Sequence, residues 1–196
     1  MKDVTDLHER YGGDRLPPGQ RETPAFPIFS KGETPEIDPA EWTLTVTGAV
    51  EESKSFSANE LRGLGSETQR QDFHCVTGWS RLDCTFEGVS FPTVADAVGV
   101  TDAASHVLFS AADGYTTDLP LTDCLHEWVV FAWALDGEPL PPDHGGPVRV
   151  VTPHRYAYKG AKWVTGVEFL TEPTLGFWER RGYHETADPW REERYS

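Results

Sequence analysis

The chain has 196 residues, of which 38% are hydrophobic, with 18 glycines, 15 prolines and a formal net charge of −15. That length suits one domain with a sizeable core, and the Pro and Gly content imposes much irregular backbone. Thirty-two acids against 17 basic residues argue against nucleic acid or anionic membranes as partners.

No apolar run approaches the roughly 20 residues of a membrane span. The opening "MKDVTDLHERYGGDR" lacks the apolar stretch of a signal peptide, so a cytoplasmic location is expected. Acid excess with only five lysines suits work in concentrated salt, where carboxylate repulsion is screened, and points to a halophilic source.

Residues 1–40, Pro- and Gly-rich from 12 onward, read as an extended N-terminal arm. "WTLTVTG" (42–48) alternates Trp42, Leu44 and Val46 on one face and predicts a strand. "SANEL" (57–61) has a capping-box spacing, Ser57 with Glu60, and opens a short helix. "TQRQDFHCV" then runs extended, and "RLDCTFEG" around Cys84 reads as turn-like. "FPTVADAVG" predicts a helix with Pro92 in its first turn and Gly99 at its end. Cys124 falls in a short helical stretch. "SHVLFSA", "WVVFAWAL", "PVRVVTP" and "KWVTGVEFL" are further strands, with "DGEP" (136–139) as a hairpin-like turn. Residues 176–196 carry aromatics among charges and read as a tail wrapping the surface. Strands dominate without a β–α–β rhythm, so the expected fold is α+β, one domain over 1–196, with mixed or barrel-like sheets and short helices.

Residues 144–167, "HGGPVRVVTPHRYAYKGAKWVTGV", contain no Asp or Glu but hold Arg149, Arg155, Lys159 and Lys162. At the overall acid frequency such a window should hold roughly four acids, so the reversal of sign asks for a reason. An anionic ligand is the simplest one, since cations must be gathered locally in a molecule that otherwise repels negative charge. The bland alternative is a buried strand pair with solvated basic ends. Neither a Walker motif nor G-x-G-x-x-G is present.

Cysteines 75, 84 and 124 are odd in number and widely spaced, which suggests no disulfide framework. A buried structural thiol is the ordinary fate of a lone cysteine and suits Cys84 and Cys124. Cys75 differs, because it ends an extended run between His74 and "TGWS". A core thiol, a soft metal ligand and a Cys–His nucleophile all remain open for it. Zinc is disfavoured, since His74, Cys75, Cys84 and His126 lack the close paired spacing of zinc sites.

Two stretches together carry a resemblance. "DFHCVTGWSRLDCTFEGV" resembles the molybdenum-ligating segment of the sulfite oxidase-like molybdopterin oxidoreductases, which include bacterial protein-methionine-sulfoxide reductase catalytic subunits. "EPLPPDHGGPVRVVTPHRYAYKGAKWVTGVEF" resembles their pterin-phosphate segment. The arm and the tail "GFWERRGYHETADPWREERY" look like those of a small stand-alone branch, so the similarity spans nearly the whole chain. It implies that Cys75 binds molybdenum beside the pterin dithiolene, and that His144 and Arg149 contact the pterin. Gly160, Ala161 and Lys162 would hold its phosphate. Ser110 or Ala111 would supply a small residue at a strand end, Phe29 and Ser30 would reach the cofactor from the arm, and Tyr115 would stand near the open face of the metal. The implied activity is oxygen-atom transfer to or from a small sulfur- or nitrogen-containing substrate, with molybdenum–molybdopterin as cofactor and a separate electron-transfer partner. The alternative is a molybdopterin- or anion-binding module without turnover. Where many relatives carry a basic residue this chain has Gly78, a gap that Arg81 could fill; where they carry serine it has Gly160.

Overall fold

The computed structural model describes residues 1–196. Its strands are β1 (Lys2–Asp3), β2 (Arg21–Glu22), β3 (Thr43–Gly48), β4 (Lys54–Ser57), β5 (Glu67–Cys75), β6 (Trp79–Ser90), β7 (His106–Ala111), β8 (Thr116–Pro120), β9 (Val130–Leu135), β10 (Glu138–Pro139), β11 (Arg149–Val151) and β12 (Val164–Leu170). The helices are short: α1 (Leu7–Arg10), α2 (Ala58–Gly63), α3 (Phe91–Val98) and α4 (Leu121–Cys124).

The strands form two open sheets. One has the order β1-β5-β6-β9-β10, with β11 also paired to β9 and β2 to β6; the other has the order β4-β3-β12-β7-β8. The expected α+β class with mixed sheets and short helices holds, but no barrel closes. Strand β9, "VFAWAL", is buried along its whole length, which explains its unbroken apolar run. Helix α3 joins the two sheets through Phe91, whose ring lies 5.9 Å from Phe131 on β9, 5.9 Å from Phe109 on β7 and 5.8 Å from Phe169 on β12. Ser57 and Glu60 form the expected capping box of α2, and Gly99 ends α3 at φ 65°.

The turn expected around Cys84 is instead the middle of β6, the longest strand at 12 residues. Leu82 and Asp83 together oppose Asp72 of β5, a bulge with Asp83 at φ 58°. The bulge breaks the alternation that would have marked a strand. The arm is held by pairing of β2 with β6 and by two bonds from Arg15 to Asp72, of 2.6 and 2.7 Å. In the tail, Trp190 stacks on Tyr11 at 4.9 Å and lies edge-on to His74 at 5.3 Å.

Candidate functional site

Strand β5 delivers Cys75 to the edge of a cavity of about 290 Å³, walled by the arm, the 142–163 segment and the tail. The chain reverses immediately after it, helped by Gly78 at φ 91°, whose amide donates to the Cys75 carbonyl at 3.0 Å. Alternation along the strand turns His74 to the opposite face. There it shares a 2.8 Å hydrogen bond with Ser80, and burial lowers its pKa to about 3. His74 is therefore a core residue and no partner to the thiol. Cys75 Sγ shares a 3.2 Å hydrogen bond with Thr77 Oγ1. Burial raises the pKa of the thiol, against the opposing pull of Thr77 and of the positive charge on Arg194.

The cavity is also lined by cations. Three consecutive carbonyls of the turn Pro142–His144 grip three side chains: Pro142 O accepts from Trp163 Nε1 at 2.5 Å, Asp143 O from Lys162 Nζ at 2.8 Å, and His144 O from Arg149 Nη1 at 3.0 Å. Gly145 makes this convergence possible. It sits at φ 105°, and a Cβ there would lie 2.9 Å from the Lys162 stem and 3.0 Å from that of Arg149. Arg149 is 3% exposed and its guanidinium meets only carbonyl oxygens and the face of Phe73. Burial lowers its pKa to about 10, and burial followed by the charge on Arg149 lowers that of Lys162 to about 8.

The acid-free window thus divides in two. Arg155 pairs with Asp123 at 2.6 Å, and Lys159 with Glu179 at 2.6 Å, so both are structural. Arg149 and Lys162 have no carboxylate partner and line the cavity. A buried cation without a counter-ion is costly, and an anionic guest in this cavity would offset that cost.

Of the residues singled out from the sequence, Phe29, Ser30, Cys75, Tyr115, His144, Arg149, Gly160 and Lys162 line this one cavity. Ala161 is fully buried behind it, and its amide and that of Lys162 donate to no acceptor in the chain. The Gly160 amide is spent on the Ala157 carbonyl at 3.1 Å. Gly160 is needed for a different reason, since a Cβ would lie 2.6 Å from Val150 O. Ser110 and Ala111 lie outside the cavity, paired into the sheet opposite Gly166 and Val164. Tyr115 reaches the wall, but its hydroxyl donates to the Tyr158 carbonyl. Arg81 does not fill the place left by Gly78, because it pairs with Asp136.

Sequence reading missed the aromatic wall of Phe26, Trp178 and Tyr183, and also Lys31, whose ammonium donates to Asp113 O at 2.5 Å. The first three belong to segments whose alternation shows no face, and only folding brings arm and tail to Cys75. His144 stacks on Phe26 at 4.7 Å, which closes the wall on the arm side.

No three His, Cys, Asp or Glu side chains cluster closely enough to enclose a metal ion. Cys75 is a single soft donor, so it could hold a metal only as part of a group that brings other ligands with it. Arg149 and Lys162, in the same cavity, suit an anion. One guest that carries both a metal and an anionic group satisfies both demands.

The chain matches the model of the oxidoreductase molybdopterin binding domain over residues 31–178. It is similar to the uncharacterized oxidoreductase YuiH of Bacillus subtilis (strain 168), 43% identical over 93% of this chain and 92% of that protein. It also resembles the putative protein-methionine-sulfoxide reductase subunit YedZ1 of Azospira oryzae, 30% identical over 83% of this chain. A third relative is the protein-methionine-sulfoxide reductase catalytic subunit MsrP of Xanthomonas axonopodis pv. citri, 28% identical over 91% of this chain. This chain spans 63% and 57% of those last two proteins. In fold it resembles the sulfane dehydrogenase SoxCD from Paracoccus pantotrophus, with a TM-score of 0.66 at 18% identity, covering 76% of this chain and 42% of that one. The chain belongs to the oxidoreductase molybdopterin-binding domain family, as a sulfite oxidase-like enzyme.

Proposed function

We propose that Cys75 is the protein's ligand to molybdenum and that the enzyme transfers an oxygen atom to or from a small sulfur- or nitrogen-containing substrate. The observation that carries this is the pairing, in one cavity, of a lone thiol with two cations that have no carboxylate partner. Arg149 and Lys162 would bind the pterin and its phosphate, with the free amides of Ala161 and Lys162 as further donors. The bound cofactor supplies the two-electron oxygen-atom chemistry. The protein's own share is positional. Cys75 fixes the metal end, the aromatic residues Phe26, Trp79, Trp178 and Tyr183 exclude water around it, and the hydroxyl of Tyr115 is committed to Tyr158 O. The names of the sulfoxide-reductase relatives support a sulfur substrate. Two of those names describe subunits, which supports a separate electron-transfer partner here too.

The test is elemental and pterin analysis of protein made in a host that synthesises the cofactor, comparing wild type with Cys75→Ser and Lys162→Glu. Molybdenum in the wild type, loss of activity in Cys75→Ser and loss of pterin in Lys162→Glu are expected. Wild-type protein without molybdenum, or full activity in Cys75→Ser, would overturn the proposal. Retained cofactor that never cycles would favour a binding module without turnover.

A further inference from the structure

The turn that follows Cys75 is poorly packed, since Val76 and Gly78 are half-buried and Thr77 is exposed. Its carbonyls are instead held by the arm and the tail. Cys75 O accepts from Gln20 Nε2 at 3.0 Å, and Gly78 O from the Arg21 amide at 3.0 Å, both on the arm. Val76 O accepts from Arg194 Nη1, on the tail. The same guanidinium lies 3.5 Å through Nη2 from Pro18 O, and its carbon stands 5.0 Å from the centroid of Tyr156. One side chain therefore joins the Cys75 turn, the arm and the 156–162 segment.

Arm and tail are shaped around this contact. Gly19, at φ 68°, would place a Cβ 2.9 Å from Arg194 Nη2 and 2.5 Å from Glu192 Oε1. No larger residue fits there without moving one of them. A planar guanidinium can serve two carbonyls and a ring face at once, whereas an ammonium can serve the carbonyls only as a point charge. Arg194 also brings a positive charge to the turn in which Gly78 stands, with Glu192 Oε1 3.9 Å from its Nη2, whereas Arg81 is diverted to Asp136.

We infer that Arg194 is a positioning residue for Cys75. Acting through Val76 O, it fixes the direction in which the thiolate meets the metal and couples the last residues of the chain to the site. The inference rests on the proposed role of Cys75, but its first test needs no cofactor.

In the cofactor-free full chain, hydrogen exchange of the 74–80 segment is expected to quicken about tenfold or more in Arg194→Ala, with Arg194→Lys intermediate. Exchange in β7 and β12 should not change. In molybdenum-loaded protein, the absorption spectrum of Arg194→Ala should shift at equal metal content, with partial return in Arg194→Lys. Unchanged exchange at 74–80 in both variants, a rise shared by both sheets in Arg194→Lys, or an unmoved spectrum would overturn the inference. If Cys75 is not the ligand, that appears separately, as normal molybdenum chemistry in Cys75→Ser.

Discussion

The guanidinium carbon of Arg149 lies 5.0 Å from the ring centroid of Phe73, which precedes Cys75 by two residues on β5. The cation and the thiol thus share a wall, and no carboxylate meets the cation. Burial costs the charge its hydration, and the carbonyl contacts restore only part of it. Arg149→Met should therefore leave the cofactor-free protein as stable as the wild type, or more stable by on the order of 1 kcal/mol. The same variant should lose most of its pterin when made in a competent host. Urea denaturation and pterin analysis of one preparation check both halves.

Lys159 presents the opposite case. Its side chain and that of Glu179 are both fully buried at 2.6 Å, and Thr117 Oγ1 donates to the same carboxylate at 2.7 Å. Lys159→Met strands Glu179 without a counter-charge and should cost about 3–5 kcal/mol in urea denaturation. The double variant Lys159→Met/Glu179→Leu should recover much of that loss. Equal losses in the single and double variants would show that the cost is one of packing and not of charge.

Burial holds His74 neutral down to about pH 3, and burial likewise holds the pKa of His154 far below its ordinary value near 6.5. Above about pH 6.5 both residues are neutral, folded or unfolded, and cost nothing. Below it the unfolded chain takes up protons that the folded chain refuses, so stability falls, by up to about 1.4 kcal/mol per pH unit for each histidine. The loss continues down to about pH 3 for His74. Denaturation midpoints should drop steeply between pH 6.5 and 4. His74→Gln, which can keep a hydrogen bond to Ser80, should show a flatter profile. Parallel profiles would contradict the assignment.

The halves of the site that lie within single segments were legible in the sequence. Cys75 stands at a strand end before Gly78, and the acid-free window is unmistakable in a chain of charge −15. The division of that window was not legible, because Arg155 and Lys159 find Asp123 and Glu179 only through tertiary folding. Strand β6 was hidden by its bulge at Leu82 and Asp83, and β8 by the polar "TTD" with which it starts. The aromatic wall was out of reach because Phe26 and Tyr183 come from opposite ends of the chain. Their segments have little regular structure and so no period to read. The resemblance supplied the order of the parts, and the packing explains a departure from it. Gly160 stands where the Val150 carbonyl comes too close for any Cβ, which accounts for the glycine at the place where the resemblance leads one to expect serine.

The central claim is that Cys75 is one of the sulfur ligands of molybdenum. X-ray absorption at the molybdenum edge counts those sulfurs directly, in wild type and in a Cys75→Ser variant loaded with the same cofactor. The account predicts that the variant has one sulfur neighbour fewer than the wild type. An unchanged sulfur count in the variant would contradict it.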